Sequence, residues 1–164
     1  CLDVSPDGLH ATLAAAAVMP DETVRVEVVA AWQGIGCTDA LTRDLPGWVA
    51  RIRPQNRGWF QNGPAAALTA ALKGWEAIGA DATAVCMGFA ESVMAGRVVH
   101  AADPLLDDHV AGAEKLRTGD RWVFSRRGGG HWDATYAAAG AVHLARTLPV
   151  PVGSIRIVRP AARP

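Results

Sequence analysis

Apolar and polar positions alternate through the first part of the chain. In Val24-Arg25-Val26-Glu27-Val28 every second residue is a valine and the intervening ones are charged, the signature of a strand with one face buried. Two apolar strands precede it: residues 1–4, stopped by the turn-forming Ser5-Pro6-Asp7-Gly8, and residues 9–19, which Pro20-Asp21-Glu22 turns into the third strand, 24–32. Three strands joined by tight turns form an antiparallel meander. The period then changes. Leu41, Leu45, Trp48 and Ile52 recur at helical spacing and predict a helix over 38–52 that Pro46 bends or shortens.

Residues 57–61 read as a fourth, central strand, ended by Asn62-Gly63-Pro64. Leu68, Leu72 and Trp75 predict a helix over 65–78, followed by a fifth strand at 82–86 and a helix over 88–95. A helical segment at 105–116, a strand at 121–126, a flexible loop at Arg127-Gly128-Gly129-Gly130 and a helix over 133–146 complete the order. Beyond Leu148 the tail carries Arg156, Arg159 and Arg163 among prolines and reads as extended. The predicted class is α/β: a mixed sheet, made of an antiparallel three-strand meander plus parallel strands, flanked by helices.

Composition narrows this picture. At 164 residues, half of them apolar and a fifth charged, the chain suits one globular domain and not a disordered segment. It opens on Cys1 inside an apolar strand, which predicts a fragment of a longer chain. Cys1, Cys37 and Cys86 form no CxxC pair and are odd in number, so a reducing compartment is expected, with neither a disulfide framework nor a cysteine zinc site. Five histidines without paired spacing give no zinc signature either. No run approaches the roughly 20 apolar residues of a membrane span, and no basic segment precedes residues 11–19, so no signal peptide is expected. A net charge of zero argues against tight independent DNA binding, but not against a nuclease held on DNA by a partner domain.

Two acids carry the candidate chemistry. Asp3 stands between Leu2 and Val4 in a strand, where aspartate is disfavoured; it either serves the strand-end turn or binds a cation. Asp133 follows a glycine-rich loop and opens an apolar helix. There it either caps the helix, a contribution of about 1 kcal/mol, or presents a metal ligand. A strand Asp paired with a late helix-start Asp has the layout of an RNase H-like nuclease. Such chemistry needs an activated water and a stabilised leaving oxygen beside phosphate, which two divalent ions about 4 Å apart supply. Hard ions such as Mg²⁺ or Mn²⁺ take carboxylates, and carboxylates so crowded titrate at raised pH.

Leu2-Asp3-Val4-Ser5-Pro6-Asp7, Gly63-Pro64-Ala65-Ala66-Ala67-Leu68, Cys86-Met87-Gly88-Phe89-Ala90-Glu91, Arg97-Val98-Val99-His100 and Trp132-Asp133-Ala134 occur in this order. With them the chain resembles, from about residue 3 to 148, the nuclease domains of large terminase subunits from tailed phages of actinobacteria. The resemblance implies a nuclease domain at 1–148, a Pro/Arg-rich tail at 149–164 placed to touch a portal ring, and an upstream ATPase domain in the same polypeptide. It implies Mg²⁺- or Mn²⁺-dependent endonuclease cutting of concatemeric double-stranded DNA during packaging, with two ions. The setting would be the procapsid in the host cytoplasm, with portal and small terminase subunit as partners and no membrane.

Asp3 and Asp133 would then be the catalytic metal ligands. The family carries a further acid at the end of the fourth strand, where this chain reads Trp59-Phe60-Gln61-Asn62-Gly63, and the stretch between Gly79 and Cys86 is short for the family. The remaining ligand stays open among Gln61, Glu91 and Asp7. Glu91 also reads as an exposed helix residue, and Asp7 as a turn residue. Arg117, Arg121, Arg126 and Arg127, with Lys115, surround the glycine loop. They would hold backbone phosphate without sequence preference, or are ordinary surface charge. His131 would contact DNA or protonate a leaving group, or is merely exposed. Two competing functions share this fold: a catalytically degenerate docking or DNA-gripping module of the packaging motor, and a resolvase- or transposase-type nuclease.

Overall fold

The alternating valines lie in the strand next to one edge of a six-stranded mixed sheet. The computed structural model describes residues 1–79, 82–127 and 131–147. Their elements are β1 (Leu2–Val4), β2 (His10–Val18), β3 (Val24–Gln33), α1 (Cys37–Ile52), β4 (Gly58–Phe60), a 3-10 helix (Pro64–Leu68), β5 (Glu76–Ile78), α2 (Ala82–Met94), β6 (Val98–Val99), α3 (Pro104–Ala111), β7 (Lys115–Thr118), β8 (Arg121–Phe124) and α4 (Asp133–Thr147). The sheet order is β5-β4-β1-β2-β3-β6, with β7 and β8 pairing separately as a hairpin. The meander β1–β2–β3 is antiparallel, β4 and β5 continue it in parallel, and β6 runs parallel to β3 at the other edge. This is the mixed α/β sheet expected of the sequence, an antiparallel meander extended by parallel strands.

Each face of the sheet has its own core. Leu2 and Val4 pack with Ala11 and Leu13 against Cys37, Leu41 and Leu45 of α1. Strand alternation therefore turns Asp3 and its cross-strand partner Thr12 to the opposite face, under α4. The register of β3 shifts opposite Leu13 and Ala14, so that Val24, Val26 and Val28 serve the α4 side while Ala30 and Trp32 serve the α1 side. Helix α4 lies close on the sheet because its contact residues are small: Ala137 and Ala141 meet Ala14, and a Cβ on Gly140 would come within 3.1 Å of Phe60 and 3.2 Å of Ile78.

Three expected elements differ. Residues 65–78 are not a helix: the 3-10 turn gives way to further turns, Gly74 adopts a φ of 81°, and Glu76–Ile78 pairs with β4 as an edge strand. Residues 82–86 are the first turns of α2, not a strand, since Val85, Cys86 and Phe89 follow helical spacing into the core beside α4. The helix predicted over 105–116 stops at Ala111. Gly112 caps it where a Cβ would strike the Trp132 ring at 2.8 Å, and Lys115–Thr118 becomes β7. Helix α1 covers the residues expected and is not shortened at Pro46. The glycine loop 128–130 and the tail 149–164 lie outside the described residues. No helix among the described residues is long and apolar enough to cross a membrane.

Candidate active site

Asp3 and Asp133 converge through Thr12. Asp3 is fully buried in β1, directly opposite Thr12 of β2. The Thr12 hydroxyl donates to Asp133 Oδ2 at 2.6 Å, across 121 residues of sequence. Asp133 sits in the first turn of α4 at 2% exposure, where the helix N-terminus favours a negative charge. Its other oxygen, Oδ1, is buried without a hydrogen-bond partner.

Arg126, just beyond β8, clamps Asp3. Its Nη1 and Nη2 donate to Asp3 Oδ2 and Oδ1 at 2.7 Å each, and Nη1 also donates to the Val4 carbonyl at 3.2 Å. The guanidinium lies 3.6 Å from the centre of the Tyr136 ring, whose hydroxyl donates to the Phe124 carbonyl at 2.6 Å. Burial pushes the Asp3 carboxyl up to about 6 from its ordinary 3.8, against the downward pull of Arg126, and Asp133 adds a further upward push. Arg126 itself is held above its usual range: burial opposes its charge, and the Asp3 carboxylate more than offsets that.

Gly63 abuts this guanidinium. A Cβ there would lie 3.1 Å from Arg126 Nη2. The turn after β4, where the family resemblance calls for a carboxylate, thus faces a cation already paired with Asp3.

A second group of ionisable side chains lies at the mouth of the pair. One donor atom each from Asp7, His10 and His131 lies within 4.8 Å of the others. His131 Nδ1 is 3.7 Å from Asp7 Oδ2, His10 Nδ1 is 3.9 Å from Asp7 Oδ1, and the two imidazoles stack with centroids 3.5 Å apart. Asp7 Oδ1 accepts from the Ser5 hydroxyl and, at 2.9 Å, from the Leu9 amide. These bonds hold the Asp7 carboxyl below its ordinary range, helped by the two histidines. His109 of α3 completes the surroundings. Its Nδ1 accepts from the Ala134 amide at 3.2 Å and lies 3.8 Å from Asp133 Oδ1, and burial lowers its pKa. An Nδ1 that accepts a backbone N–H carries no proton of its own, so this approach to Asp133 is not an ion pair.

The other sequence candidates lie elsewhere. The Gln61 side chain is exposed and lies over Gly79, while the Gln61 backbone N–H donates to the Ile78 carbonyl. Glu91 is 77% exposed on α2 and pairs with Arg97 at 3.4 Å. Arg117 and Arg121 are exposed on the β7–β8 hairpin and Arg127 is exposed beyond it, whereas Arg126 turns inward. Thr12, His10 and His109 carried no sequence signal, because only the fold brings them to residues far along the chain. Thr12 stands opposite Asp3 in the register of β1 and β2.

Two buried carboxylates, one with a free oxygen, form a hard-oxygen donor set that fits one Mg²⁺-type cation. Two ions would need more carboxylates than Asp3 and Asp133 supply, and any cation at Asp3 must share or displace Arg126.

Neither a protein-family model nor a curated protein matches the sequence. Among solved structures, the chain is similar to the large terminase nuclease domain of Thermus phage P74-26, with a TM-score of 0.51 and 16% identity over 87% of this chain and 82% of that one. The two chains share a fold.

Proposed function

We propose that this chain is the nuclease domain of a tailed-phage large terminase and cuts double-stranded DNA during genome packaging. The observation that carries this reading is the convergence of Asp3 and Asp133 at Thr12, on the central strands of an RNase H-like sheet and at the start of α4. The fold shared with the Thermus phage domain supports it. The sequence resemblance supplies the setting: an upstream ATPase, portal and small-subunit partners, and the host cytoplasm.

Asp3 and Asp133 would hold a divalent Mg²⁺ or Mn²⁺ ion, which when bound supplies an activated water and neutralises phosphate charge. The chain's own residues do the positioning. Thr12 fixes the rotamer of Asp133 and leaves Oδ1 available. Arg126, released from Asp3, offers a planar two-donor face to a phosphate oxygen pair. Exposed Arg117, Arg121 and Arg127 hold backbone phosphates without reading sequence. His131, on the connection leading into α4, would contact DNA.

Supercoiled plasmid incubated with the chain and Mn²⁺ tests the proposal. Nicking is expected, and it disappears in Asp3→Asn and in Asp133→Asn. A different reading is favoured by one observation, the double hydrogen bond that occupies both oxygens of Asp3. On that reading the pair is a structural ion pair in a docking or DNA-gripping module. Intact plasmid at high protein concentration, with gel-shift binding retained, selects it. Preferential cutting of four-way junctions over plasmid selects a resolvase-type nuclease.

A further inference from the structure

We propose that Asp7, His10 and His131 form a separate site for a borderline divalent transition metal of the Zn²⁺ class. Two imidazoles and one carboxylate are the donor set that such ions prefer, whereas Mg²⁺ selects oxygens alone. The donors already converge: at bond lengths of about 2.0–2.1 Å, ligands on a tetrahedral ion sit about 3.3 Å apart. The structure places His131 Nδ1 and His10 Nδ1 at 3.7 and 3.9 Å from the Asp7 carboxylate. One donor atom of each residue lies within 4.8 Å of the others, so side-chain shifts of about 1.5 Å at most bring three ligands to that spacing, and water takes the fourth position.

Three further features support a built site. His10 Nδ1 is buried and has no hydrogen-bond partner, although an uncompensated buried nitrogen is costly. Asp7 is oriented from behind: Oδ1 accepts from Ser5 and Leu9, and the Ser5 hydroxyl in turn accepts from the His10 amide at 2.9 Å. That leaves Oδ2 for the ion, in the manner of outer-shell support around metal ligands. The stacked imidazoles present their Nδ1 atoms to the same carboxylate, one from the start of β2 and one from the connection into α4. An ion here would pin that connection to the Ser5–His10 turn, beside the buried Asp3–Asp133 pair.

Calorimetric titration of ZnCl₂ into the chain at pH 7.5 tests this. One Zn²⁺ per chain is expected, with binding weakened at least about tenfold in His10→Ala and in His131→Ala, and unchanged by millimolar Mg²⁺. Co²⁺ should give visible absorption bands of a nitrogen-bound ion that vanish in both variants. His131 lies outside strand and helix, so its variant keeps the fold, checked by an unchanged thermal melt. Absence of Zn²⁺ binding overturns the proposal, as does binding equally strong in both histidine variants. Binding lost in Asp133→Asn but retained in both histidine variants also overturns it, because the ion then sits at the buried pair. The nuclease reading fails separately: Zn²⁺ binding without Mn²⁺-dependent nicking leaves this site standing, and nicking without Zn²⁺ binding leaves only the nuclease.

Discussion

Removing the Arg126 head group while keeping its length, in Arg126→Met, isolates the charge that faces Asp3. Asp3 is fully buried and Arg126 is 19% exposed, so solvent screens the pair little. Two 2.7 Å charge-assisted bonds and a 3.6 Å approach to the Tyr136 ring disappear together. Breaking one side of such a buried pair costs about 3–5 kcal/mol, chiefly because the remaining charge is left without compensation. For a domain of this size that lowers the melting temperature by roughly 6–20 °C. The sign with pH follows from Asp3. Burial already raises its carboxyl to about 6, above the 3.8 of an ordinary aspartate, and loss of Arg126 raises it further. A carboxyl raised on folding contributes full stability below its unfolded value and loses it as pH rises through the folded one. Above about pH 6 the variant should therefore lose stability more steeply with rising pH than the wild type, and the gap between them should narrow as pH falls to about 6 and stay constant below it. Urea titrations followed by tryptophan fluorescence at pH 7.5 and pH 5 measure both quantities. A loss under about 1 kcal/mol at pH 7.5, or an equal loss at both pH values, would refute the reasoning. The double variant Asp3→Leu/Arg126→Met should recover much of the single-variant loss.

Three smaller predictions address other parts of the molecule. Thr12→Val leaves Asp133 with neither oxygen satisfied and should cost about 1–3 kcal/mol in urea unfolding, with Asp133→Ala removing most of that sensitivity. Gly140→Ala drives a Cβ toward Cys1, Phe60 and Ile78 beneath α4 and should destabilise by about 1–3 kcal/mol, whereas Gly88→Ala, mid-helix with nothing within 4 Å, should stabilise by about 0.5–1 kcal/mol. The Asp7 carboxyl is held below its ordinary range, first by Ser5 and then by the Leu9 amide, so the Ser5–His10 turn keeps its order above the usual carboxylate pKa and loses it as pH falls through the depressed one. Chemical shifts of the Leu9 and His10 amides should report that transition; shifts that move together with the bulk of the acidic residues would contradict it.

The parts of the fold written in local pattern were legible. The meander came from tight turns and from the alternation at residues 24–28, and α4 from a long apolar run behind a glycine loop. Failures fell where a local pattern was ambiguous and the fold decided it. Leu68, Leu72 and Trp75 have helical spacing, yet edge pairing with β4 claims residues 76–78 as strand. Ala82 to Cys86 is too short an apolar run to separate a buried strand from the start of a helix. At the site, Asp3 stood out because a strand aspartate breaks a local rule, and Asp133 because it opens an apolar helix behind a glycine loop. Thr12, His10 and His109 broke none. Arg126 drew notice only as one of several basic residues near a loop, and nothing in its neighbours distinguished the inward side chain from the exposed Arg117, Arg121 and Arg127.

Arg126 also explains how the centre tolerates a missing acid. A further carboxylate after β4 would add a third negative charge near two that already disfavour each other, and divalent ions would be needed to offset it. Here the turn after β4 is neutral, its Gly63 leaves room for a guanidinium, and that guanidinium balances Asp3 from within the chain. The consequence is quantitative. A cation that must displace Arg126 works against the same 3–5 kcal/mol or so that holds the buried pair, and a ligand present at a thousand times its Kd contributes only about 4 kcal/mol. Metal alone is therefore a weak competitor. On the proposed nuclease reading DNA would change the balance, because a phosphate would accept the released guanidinium in the two-pronged geometry it had with Asp3. On that reading metal affinity at Asp3 and DNA affinity at Arg126 would rise together, as reciprocal coupling requires, and a Mn²⁺ titration with and without DNA would measure the coupling.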